Sequence, residues 1–70
     1  MQRWEYRFIM CEFHEHWRPR WVDGEELSKW KDGPSMFEFS NQLGEKGWEL
    51  ISMHLVKNRY RMVFKRPKAA

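Results

Sequence analysis

The chain has 70 residues, of which 33% are charged and 17% aromatic, and it carries a formal net charge of +3. That length allows one domain spanning 1–70, and a domain this small buries only about 60% of its unfolded surface, so a monomer is marginal. Cys11 is the only cysteine, which excludes an internal disulfide and leaves a metal or a second subunit as the usual supplement.

No stretch resembles a secretory leader and no apolar run is long enough to span a bilayer, which predicts a soluble, cytoplasmic protein with no membrane partner. A lone thiol fits a reducing compartment. Lys57, Arg59, Arg61, Lys65, Arg66 and Lys68 gather near the C-terminus. They favour anionic partners, although ordinary solubility explains a net charge of +3 equally well.

Trp4 to Phe13 reads as a strand. Trp4, Tyr6, Phe8 and Met10 alternate with polar residues at first, and from Phe8 onward Ile9, Cys11 and Phe13 make the second face apolar as well. Such a strand is expected to be covered on both faces, by a helix on one and by an inserted segment or a second subunit on the other. The segment 14–34 reads as that insertion, a short β-ribbon or structured loop. Within it Asp23-Gly24 is a hairpin signal, and Gly33-Pro34 breaks the chain.

Ser35 to Lys46 reads as the one helix. Ser35 and Glu38 have capping-box spacing, Met36, Phe39 and Leu43 form an apolar stripe, and Gly47 suits a left-handed C-cap. Gly44, one turn earlier, would let the helix approach the sheet closely, or else marks fraying near the helix end. Trp48 to Val56 and Arg59 to Arg66 read as strands joined by Lys57-Asn58, with Pro67 as a stop and 67–70 as a disordered tail. The order predicts an α+β fold. A small, three-stranded, mainly antiparallel β-α-β-β sheet would carry one helix, with the last strand between the other two and both edges open to another copy.

Trp4-Glu5-Tyr6-Arg7, Leu43-Gly44-Glu45-Lys46-Gly47-Trp48-Glu49-Leu50 and Phe64-Lys65-Arg66-Pro67 together resemble a family of short bacterial and phage proteins catalogued as a domain of unknown function (number 4177). The resemblance covers most of the chain outside 14–34. It implies a compact βαββ module with no known catalytic set, and a host cytoplasm as the location if the chain is phage-encoded. The added aromatic and basic residues of the insertion are where a particular function would reside.

Planar stacking surfaces and guanidinium forks occur together in Trp17, Arg18, Arg20, Trp21, Trp30, Arg59, Tyr60 and Arg61. Nucleotides call for that combination, since bases stack on aromatic faces and phosphates take bidentate guanidinium bonds. Strand alternation would put Arg18, Arg20 and Val22 on one face and Trp17, Pro19 and Trp21 on the other. The competing reading makes the tryptophans core or dimer contacts with arginines lying over them.

His14 and His16, with Cys11, Glu12 and Glu15, have spacing a transition metal could use. The motif is common and no distant cysteine pair supports it, so no metal or other cofactor is assigned. Neither a nucleophile elbow nor a glycine-rich phosphate loop is present, and Cys11 sits in an apolar strand where a thiol is inert packing. The expected protein is therefore not an enzyme. It is expected to be a homodimer or higher homo-oligomer that captures a small phosphorylated ligand such as a nucleotide or cyclic dinucleotide, in the manner of a phage anti-defence sponge. Two alternatives stand beside it: a protein-interaction module using a sheet edge and aromatic patch, and a weak binder of single-stranded nucleic acid.

Overall fold

The computed structural model describes residues 1–69. The first strand, β1 (Trp4–His14), turns at Glu15 (φ 65°) directly into β2 (His16–Val22). Asp23 and Gly24 (φ 52° and 87°) then turn the chain into the two-residue β3 (Glu25–Glu26). Paired positive φ values are those of the hairpin turn whose twist matches that of the strands it joins. The Asp23 carboxylate reinforces this turn by accepting from the Phe8 backbone N–H at 2.9 Å, and Arg7 Nε lies 3.3 Å from its other oxygen. A 3-10 turn at Trp30–Asp32 leads to the helix α1 (Met36–Glu45). The strand β4 (Glu49–Val56) follows, and a second positive-φ pair, Lys57 and Asn58 (50° and 64°), turns it into β5 (Arg59–Pro67).

The sheet has five strands in the order β3-β2-β1-β5-β4, and every neighbouring pair is antiparallel. This corrects the three-stranded expectation, while the α+β class stands. Part of the segment 14–34 extends the sheet edgewise. Two features hid the pairing of β2 with β1. Its turn is a single glutamate, a residue with no turn signature, and Pro19 argues against a strand interior. The structure reconciles Pro19 with a strand because β3 pairs only with Trp21 and Val22. At Pro19 no further strand requires the missing N–H.

The helix covers one face of this sheet. Ile9 and Cys11 of β1, Met62 and Phe64 of β5, and Met36 and Leu43 of α1 form the buried core with Trp48. Ser35 accepts from the Glu38 N–H while the Glu38 carboxylate accepts from the Ser35 N–H, so both halves of the capping box are made. At the other end Trp48 N–H donates to the Leu43 carbonyl and Gly47 N–H to the Gly44 carbonyl, each at 3.0 Å. With Gly47 at φ 89° these bonds form a Schellman motif. Its accompanying apolar contact brings together Leu43 and Trp48, both in the core. The guanidiniums of Arg66 and Arg7 lie 4.3 Å and 5.0 Å from the Trp48 ring centroid. The helix–glycine–tryptophan run is thus a packing device. Gly44 faces open space, with nothing within 4 Å of where a Cβ would stand, so it does not bring the helix close to the sheet.

The other face is covered only at its β2 end, where Trp30 of the 3-10 turn packs against Arg20 and His14, so the inserted segment supplies part of the expected second cover. Trp4, Tyr6 and Phe8 alternate along the rest of it and remain 40%, 51% and 56% exposed. Of residues 67–70, Pro67 pairs with Trp4, Lys68 N–H donates to the Arg3 carbonyl at 2.8 Å, and Ala70 lies outside the described residues.

Candidate functional site

The register of β1 and β2 shifts between Met10 and Cys11. Met10 opposes Trp21 and Cys11 opposes Pro19, leaving Arg20 with no opposite residue. A bulge of this kind re-aims side chains. Here Trp21 turns to the open face together with Arg20, while Trp17, Pro19 and Val22 share the helix side with Phe13, Cys11 and Ile9. The expected alternation of 17–22 is therefore broken at one residue.

The eight candidate residues divide into three groups. Trp17 and Tyr60 pack edge to face with centroids 4.6 Å apart, against the core. Arg18 Nε donates to the His14 carbonyl at 2.9 Å and its Nη1 to the Gly33 carbonyl, which ties the 3-10 turn to β2. These three residues are structural. Arg20, Trp21, Trp30 and Arg59 form a second group. The Arg20 guanidinium lies 4.6 Å from the Trp21 centroid and 4.8 Å from that of Trp30, and Arg59 lies 4.8 Å from Trp21. Arg61 stands apart from both groups.

Two carboxylates balance the arginines of the second group. Glu12 accepts from Arg59 Nε at 2.7 Å and from Arg20 Nη1 at 2.8 Å, and Glu26 accepts from Arg20 Nε at 2.6 Å. The bond from Arg59, helped by the charge of Arg20, holds the Glu12 carboxyl below its usual range. The bond to Glu26, with the charges of Glu26 and Glu12, pushes the Arg20 pKa up. The cluster is neutral as a whole and its tryptophan faces already carry cations. Solvent screening keeps exposed pairs of this kind weak. A phosphate would have to compete with Glu12 and Glu26, and a base with a guanidinium.

Arg61 has no carboxylate partner among the described residues. It opposes Met10 on β1 and His54 on β4, and with them, Phe8, Trp21 and Val63 it lines a depression of about 560 Å³ on the open face. Ser52 Oγ lies 2.8 Å from His54 Nε2 and orients that ring. A second depression, of about 520 Å³, lies between the β2–β3 hairpin and α1, but Asp23, Glu25 and Glu26 face Arg7 and Lys46 in it, a mixed lining unsuited to an anion. Phe8, Met10, His54 and Val63 were not among the candidates. The signal that could have found them is the run Trp4, Tyr6, Phe8, Met10 set against Arg61, Val63, Lys65 at the same two-residue period.

Cys11 is fully buried, and burial pushes its thiol up to about 12. Among the described residues no group of three or more His, Cys, Asp or Glu side chains gathers as a metal site. No helix among them is long and apolar enough to cross a membrane.

No protein-family model, curated protein or solved structure matches the chain. The resemblance seen in Trp4–Arg7, Leu43–Leu50 and Phe64–Pro67 rests on those residues alone.

Proposed function

We propose that the protein is a non-enzymatic binding module that captures a small phosphorylated aromatic ligand, a nucleotide or cyclic dinucleotide, on the open face of its sheet. The observation that carries this reading is the unpaired Arg61 at the edge of an apolar depression floored by Phe8, Met10 and Trp21. A volume of about 560 Å³ is within the usual range for small-ligand sites, and a few polar groups in an apolar lining are their usual chemistry. A base would lie on Phe8, and a phosphate would take Arg61 with His54 beside it. On the resemblance to a family found in phages, capture without turnover would serve to sequester a host cyclic-nucleotide signal.

Calorimetric titration against a panel of nucleotides and cyclic dinucleotides tests the reading. Losing a charge-assisted bond costs about 1.5–3 kcal/mol, so Arg61→Ala is expected to weaken Kd by roughly 10- to 100-fold, while Arg18→Lys leaves it unchanged. No heat from any member of the panel, or equal affinity in Arg61→Ala, would overturn it.

The exposed row of Trp4, Tyr6 and Phe8, with Lys65 opposite Tyr6, favours a second reading, a stacking platform for single-stranded nucleic acid. That reading predicts affinity for oligonucleotides that falls steeply with salt and is lost in Tyr6→Ala. Retention that is flat with salt would dismiss it.

A further inference from the structure

The two edges of the sheet are built differently. One edge is β3, two residues long and both glutamate, the short charged strand that native proteins use to discourage edge pairing. The other is β4, eight residues long. It contains no proline, lysine or arginine, and Leu50, Ile51, Met53 and Leu55 on it are 43%, 45%, 46% and 58% exposed. Met53 and Leu55 lie on the helix side, opposite Met62 and Tyr60, beyond the area the ten-residue helix covers. Every second residue of an edge strand points its N–H and C=O away from its one neighbour. Along β4 these groups border apolar side chains, and Glu49 at the first position is the strand's only charge.

We infer that β4 is a self-association edge, and that a second copy of this chain pairs with it antiparallel about a two-fold axis near Met53. The apolar row selects that register. Leu50, Met53 and Leu55 share the helix side of β4, opposite Phe64, Met62 and Tyr60, and an antiparallel pairing about Met53 brings Leu55 of each copy toward Leu50 of the other. The register shift between Leu50 and Ser52 keeps Leu50 on that side. Closed two-fold association is the commonest symmetry of homo-oligomers, and it supplies the burial that a chain this small lacks. The product is one continuous sheet, β3-β2-β1-β5-β4 followed by its symmetry mate. A two-fold axis normal to the sheet keeps both open faces on the same side. The Arg61-bearing strands are then separated by three strand spacings, about 14 Å. The pairing does not depend on the ligand proposed above.

Sedimentation equilibrium of the ligand-free protein tests the inference. The wild type is expected to be a dimer. Met53→Lys places like charges at the axis and is expected to give a monomer with an unchanged far-ultraviolet circular dichroism spectrum, since Met53 is surface-exposed within one copy. Leu55→Lys, on the same exposed row and away from the axis, is expected to weaken the dimer at least tenfold. Arg61→Ala, which disables the proposed ligand site, is expected to stay dimeric, so failure of one proposal is distinguishable from failure of the other. A monomeric wild type, or a dimer that survives Met53→Lys or Leu55→Lys undiminished, would each overturn the inference.

Discussion

Gly44 and Gly47 are three residues apart, and alanine should move stability in opposite directions at the two positions. Gly44 lies within α1, and an added Cβ would meet nothing within 4 Å. Alanine there removes the entropic disadvantage of a helical glycine, about 0.5–1 kcal/mol, with the lower figure apt for the last turn. Gly47 holds φ 89° to close the Schellman motif, and there the Cβ penalty of a left-handed backbone is about 1–2 kcal/mol. For a domain of this size 1 kcal/mol moves Tm by about 4–8 °C. Gly44→Ala is therefore expected to raise Tm by about 2–4 °C, and Gly47→Ala to lower it by roughly 4–16 °C. Thermal unfolding followed by circular dichroism at 222 nm (the ordinary helix signal) reads both, with protein concentration held constant so that self-association does not enter. A loss on Gly44→Ala would mean that the helix lies closer to the sheet than described. A neutral Gly47→Ala would mean that the helix does not end on a left-handed residue.

Other consequences follow from the buried thiol and the charged cluster. Cys11 should be inert to a disulfide reagent in the folded protein and react at once in denaturant. With its pKa pushed up to about 12, only about one thiol in ten thousand is ionised at pH 8. Fast labelling under native conditions would contradict the packing of β1 beneath the helix. Glu12 has a depressed pKa in the folded state, so its stabilisation is present above the ordinary glutamate range and is lost as the pH falls through its folded value. Glu12→Gln should therefore be less stable than wild type at neutral pH, by up to about 1 kcal/mol, with the gap closing in acid. A gap that is constant with pH in paired urea titrations would show that the carboxylate charge is irrelevant.

Much of the local architecture was legible because its causes are local. The capping box of Ser35 and Glu38, the cap at Gly47, and the turns at Asp23-Gly24 and Lys57-Asn58 each depend on hydrogen bonds or backbone angles within a few residues. Side-chain chemistry at those positions is enough to specify them. Apolar alternation likewise identified β1 and the core face of β5, and β4 was read between the glycine cap and the Lys57-Asn58 turn. The site was legible in composition but not in arrangement. The sequence marked arginine and tryptophan as the notable residues without showing that Trp17 and Tyr60 are packing, that Arg18 ties a turn, or that Arg20 and Arg59 are already occupied.

Those distinctions come from contacts between residues far apart in the chain. Glu12 reaches Arg59 at a separation of 47 residues, and only the pairing of β1 with β5 brings them together. One unpaired residue at Arg20 moves Trp21 to the opposite face from the one simple alternation assigns. A strand's two-residue period holds only while its register does, and register is a property of two strands at once, so no single stretch of sequence can report it.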